Sequence, residues 1–107
     1  MVKAARFLDG ANSYYVVVDG EEIPALWADD LYLKRGYFDQ PRWGNDSWTE
    51  LFFQKIETEK VVALCKNASP YYKGIEALYR VGEVDTRNGV LKFRLLEKIV
   101  DLRGISA

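Results

Sequence analysis

A chain of 107 residues that is 49% hydrophobic and 29% charged has the composition of one globular domain with a single modest core. It contains no histidine and one cysteine, which excludes Ser-His and Cys-His nucleophile pairs, histidine-based metal sites and an internal disulfide. The net charge of −1 is unevenly spread: residues 1–59 carry 6 basic and 11 acidic side chains, residues 60–107 carry 9 and 5. This split is expected either of a positive face for an anionic partner or of two halves that complement one another.

No apolar run approaches the roughly 20 residues of a membrane span, and the opening "MVKAARFLDG" lacks the apolar segment of a signal peptide. A cytoplasmic protein without membrane contact is expected. The first clear element is "SYYVVVDGEEIPAL". Tyr14–Val18 is rich in aromatic and β-branched residues, Asp19-Gly20 is a hairpin turn, and Glu21–Leu26 returns. Pro24 cannot donate a ladder hydrogen bond, so the returning strand is expected at an edge or to be short. "ADDLYLKRG" reads as a short helix, with acids at its start, Lys34 and Arg35 at its end, and Gly36 as the left-handed stop.

"YFDQPRWGND" has no periodicity and reads as a loop carrying Tyr37, Phe38, Arg42 and Trp43. At "SWTE", Ser47 and Glu50 have capping-box spacing and open a helix from Trp48 to about Ile56. Trp48, Leu51, Phe52 and Lys55 fall along one side of it, and Phe53 and Ile56 widen the apolar face. Lys60–Lys66 is a continuous apolar run that predicts a strand buried on both faces, with Cys65 in the core. Ile75–Val84 and Val90–Leu102 follow as two strands joined at Asn88-Gly89. In the second of them Leu91, Phe93 and Leu95 alternate with Lys92 and Arg94, one face core and the other solvated. Five or six strands with two short helices predict a β-dominant α+β fold, either a small curled antiparallel sheet or a β-barrel.

Seven Tyr, five Phe and three Trp exceed what a small core needs. Two aromatic groups stand beside cations on predicted loops: Trp43 and Trp48 with Arg42, and Tyr71 and Tyr72 with Lys66 and Lys73. Flat rings beside cations are what base stacking and phosphate contact require. These seven residues are the candidate nucleic-acid-binding set, although Trp48 at the start of an apolar-faced helix also suits an anchor to the sheet. The acidic doublets Glu21-Glu22 and Asp29-Asp30 suit alternating strand faces and a helix start better than Mg²⁺. No cofactor, metal or catalytic centre is expected.

The string "FFQKIETEKVVALCKNASPYYKGIEALYRVGEVDTRNGVLKFRLLEKI" resembles the second half of PUA-like domains, the superfamily that includes EVE-type modules. In particular it is similar to the small target-reading domains fused to methylation-dependent restriction GTPases. "KIETEKVVAL" stands where that pattern has "KI..GD.VAL", with Thr58-Glu59-Lys60 or its neighbours in place of Gly-Asp, and "TRNGVLKFRL" matches its hairpin. Across residues 48–99 the resemblance implies a single PUA-like β-barrel domain reading a modified or flipped base in DNA or RNA. By position, Trp43, Trp48 and Tyr71 or Tyr72 would line the pocket. The alternative is a protein-interaction module, a small inhibitor or adaptor, with the same aromatic and Arg residues as interface anchors. A small-molecule sensor would need a closed apolar pocket.

Overall fold

The computed structural model describes residues 2–8, 14–28, 30–41, 47–69 and 72–105. The elements are β1 (Ala5–Phe7), β2 (Tyr15–Val18), β3 (Glu21–Trp27), α1 (Asp30–Arg35), β4 (Tyr37–Pro41), α2 (Ser47–Glu59), β5 (Val61–Ser69), β6 (Tyr72–Asp85) and β7 (Val90–Asp101). They build one sheet in the order β1-β2-β3-β5-β6-β7-β4, with a 3₁₀ turn at Arg87–Gly89 between β6 and β7. Every pairing is antiparallel except β3 with β5. The fold is α+β and β-dominant, as the sequence predicts. The order is linear, with β1 and β4 at its two ends, so the sheet is open and the barrel expected from the PUA-like pattern is not formed. Its terminal strands have three and five residues, and each pairs with one neighbour only among the described residues.

The β2–β3 turn is the one the sequence encodes. Asp19 and Gly20 both take positive φ, 49° and 88°, as a two-residue hairpin of this hand requires. Strand β3 then changes partner: Glu21–Pro24 pair with β2, whereas Ala25–Trp27 run parallel to β5. Pro24 is buried at this switch, where a missing N–H disturbs neither ladder as it would in mid-sheet. The strand is therefore interior in the order, not an edge. The continuous apolar run of β5 is buried on both faces, as predicted. Val62 and Leu64 join one core with Phe52, Phe53 and Ile56 of α2; Ala63 and Cys65 join a second with Ala5, Val16, Val18, Ile23, Leu78 and Leu102.

Helix α2 runs to Glu59, past the predicted end near Ile56. Lys60 closes it with φ 56° and an N–H donated to the Ile56 carbonyl at 3.1 Å. Lys55 reaches from the helix to β3, its Nζ donating to the Glu22 carbonyl at 2.8 Å. The segment read as a loop from Tyr37 begins as strand β4. Phe38 is buried and stacks on Phe93, centroids 5.6 Å apart at 22°, while Pro41 ends the strand at the sheet edge, where its missing N–H costs no ladder bond. Five residues ending in Asp-Gln-Pro give no alternation strong enough to reveal a strand; pairing with β7 decides it.

Candidate interaction surface on the β6–β7 hairpin

The long β6–β7 ladder is broken by bulges, and these determine what reaches solvent. Arg80 faces Glu97 and Val81 faces Leu95, which leaves Leu96 as an extra residue on β7. Further along, Tyr79 faces Lys98 and Leu78 faces Val100, which leaves Ile99 extra. A bulge residue drops out of the in–out alternation that would otherwise bury it. Leu96 is 44% exposed and Ile99 52%, the two large apolar side chains at the surface among the described residues. A third irregularity lies on β6, where Glu83 takes φ 52° between the pairs Gly82–Arg94 and Asp85–Lys92.

Ion pairs surround these two residues. Arg80 Nε meets Glu97 Oε1 at 2.7 Å, and Arg94 Nε meets Glu83 Oε2 at 2.5 Å. Lys98 lies 3.9 Å from Asp101, which also holds Arg103 at 2.7 Å. At the hairpin tip, Arg87 clamps Asp85 through Nε, Nη2 and its own backbone N–H. Those hydrogen bonds pull the Asp85 carboxyl down to about 2, and Arg103 does the same to Asp101, also to about 2. Arg80, Arg87, Arg94, Lys98 and Arg103 are thus met by acids of the same hairpin, while residues 60–107 keep their net positive charge. A shallow groove of about 210 Å³ beside the tip is lined by Asp85, Arg87, Val90 and Lys92.

The same stretch of β7 has an open side. Strand β4 pairs with Val90–Arg94, and the Leu95 N–H donates to the Gly36 carbonyl at 3.0 Å. Beyond Leu95, no strand among the described residues pairs with that side of β7. An exposed edge with apolar side chains is a surface that proteins usually cover or blunt.

Of the seven predicted binding residues, Arg42, Trp43 and Tyr71 lie outside the described residues. Trp48 is in the first turn of α2, and Tyr72 and Lys73 open β6; their side chains are also outside the description. Lys66 is half-buried on β5 opposite Gly74 and is engaged rather than free. The register gathers Lys66, Tyr72 and Lys73 onto one hairpin, β5–β6. Pro41 and Tyr72, which border the two predicted loops, lie toward opposite ends of the ladder. Pro41 pairs with Val90 at the start of β7, whereas Asp101 at its end pairs with Ala77, and Tyr72 lies beyond Ala77 on β6.

Leu96 and Ile99 were not singled out by sequence. The available signal was the break in alternation: after Phe93-Arg94-Leu95 the chain shows two apolar doublets, Leu95-Leu96 and Ile99-Val100, each holding one more apolar residue than a two-residue period allows. Among the described residues no cluster of three or more His, Cys, Asp or Glu could hold a metal ion, and no helix is long and apolar enough to cross a membrane. No protein-family model matches the chain, and no curated protein or solved structure matches it significantly.

Proposed function

We propose that this chain is a non-catalytic protein-interaction module that docks a partner polypeptide on the outer β7 surface around Leu96 and Ile99. The observation that carries this reading is the exposure of both side chains at two bulges on a strand edge that no described strand pairs, surrounded by charges already paired with one another. Apolar residues inside a polar rim are the usual anatomy of an interface, and a rim neutralised within the chain gives little attraction for a polyanion. The test is capture on the immobilised chain compared with Leu96→Arg/Ile99→Arg, both checked for native circular dichroism. A partner retained at high salt and lost by the double variant supports the reading; equal capture by both proteins overturns it.

A second reading is the nucleic-acid-binding module, with Lys66, Tyr71, Tyr72 and Lys73 at the β5–β6 hairpin and Arg42, Trp43 and Trp48 near the other loop. What favours it is the register that gathers Lys66, Tyr72 and Lys73 on one hairpin. Anisotropy of labelled single- and double-stranded oligonucleotides, methylated and not, at two salt concentrations separates the readings. Binding that falls steeply with salt and with Trp43→Ala would put this reading first.

A further inference from the structure

We infer that Asp19 latches a detachable strand: its carboxylate ties the chain leading into β1 to the β2–β3 turn, and release of β1 uncovers the edge of β2 together with the ring face of Trp27. Strand β1 is three residues long and lies at the end of the sheet. Among the described residues it pairs with β2 alone, through Ala5–Val18, Arg6–Val17 and Phe7–Val16. Ala5 is its one buried side chain, Phe7 and the flanking Val2 and Leu8 are half-buried against the two cores, and Arg6 is exposed. Phe7 lies flat on Trp27, ring centroids 5.4 Å apart and planes at 8°. Elements with few buried contacts at a sheet edge open first in a native protein.

Beside this half-buried packing, Asp19 supplies a concentrated attachment. Its Oδ1 accepts the backbone N–H groups of Lys3 and Ala4, both at 2.9 Å, and its own N–H donates to the Ala4 carbonyl at 3.0 Å. A carboxylate accepting two amides makes stronger bonds than a neutral acceptor. The residue that forms the β2–β3 turn therefore also fixes the chain leading into β1. What the latch covers is worth covering: Val16 and Val18 of β2 are buried, and an unpaired β2 edge would offer a free row of backbone groups for strand addition. This device is separate from the β7 surface and does not depend on its partner.

Hydrogen exchange followed by mass spectrometry or NMR tests the latch, on the wild type and on Asp19→Gly. Glycine retains the positive φ of the turn and removes the carboxylate. In the wild type, amides of Lys3–Leu8 are expected to exchange by a local opening that is insensitive to low urea, well ahead of β5–β7. In Asp19→Gly the same amides are expected to exchange at least tenfold faster, with β5–β7 unchanged. Wild-type β1 amides that exchange only with global unfolding, at the rate and urea dependence of β6 and β7, would overturn the inference. So would a folded Asp19→Gly with unchanged β1 exchange. Should Asp19→Gly not fold, the wild-type urea dependence decides alone.

Discussion

Leu96 rests on Gly82. A methyl group at residue 82 would come within 2.7 Å of Leu96 Cδ1, so the glycine on β6 makes the seat on which the bulged leucine of β7 is displayed. The seat and the display belong to one feature of the ladder, and substitutions on either side have distinguishable consequences.

Gly82→Ala is expected to swing the flexible tip of Leu96 aside. Overcrowding and the lower chain entropy of the unfolded alanine variant act in opposite directions, so stability should stay within about 1 kcal/mol of the wild type. Partner binding on β7 should weaken. Urea denaturation beside a binding measurement checks both; a loss of several kcal/mol would mean that Leu96 cannot move.

Phe93→Ala removes a buried ring that stacks on Phe38 and holds β4 to the sheet. Truncations of this type cost about 3–5 kcal/mol, a large share of the roughly 5–15 kcal/mol that keeps a domain folded. Phe38→Ala should weaken the same contact and loosen β4 in particular, which hydrogen exchange of Tyr37–Pro41 would reveal.

The pH dependence of stability should be acid-limited. Asp85 and Asp101 ionise at about 2 in the folded protein because of Arg87 and Arg103, against about 4 for an unperturbed aspartate. A carboxyl depressed by folding stabilises fully above its unfolded value and ceases to do so as pH falls through the folded one. These pairs therefore contribute constantly above about pH 5 and lose their contribution between about 4 and 2. Asp19, lowered by its bonds to Lys3 and Ala4, acts in the same direction. Asp85→Asn and Asp101→Asn should flatten the acid limb of a melting-temperature profile; an unchanged profile would assign it to other groups.

Cys65 should be chemically silent in the folded protein. It is buried on β5, and burial raises its thiol to about 12, so almost no thiolate exists at neutral pH. Labelling with a thiol reagent at pH 8 should be negligible without denaturant and complete with it. Rapid native labelling would place Cys65 outside the second core.

Where one residue type or one dipeptide decides the outcome locally, the sequence alone determined it. Asp19-Gly20 set a hairpin because few other residues take positive φ, Gly36 ended α1 for the same reason, and the unbroken run of β5 required cover on both faces. The alternation of Leu91 and Phe93 with Lys92 and Arg94 likewise marked its own inner face. Features that depend on a distant strand were decided only by the tertiary structure. Strand β4 exists because Phe38 finds Phe93, and β3 tolerates Pro24 because its partner changes there. The sheet stayed open because no pairing joins β1 to β4 among the described residues. Composition indicated a positive half, but Glu83 and Glu97 reach Arg94 and Arg80 only once β6 and β7 are paired. Leu96 and Ile99 reach solvent for the same reason: a bulge is a mismatch between two strands, and neither strand carries it alone.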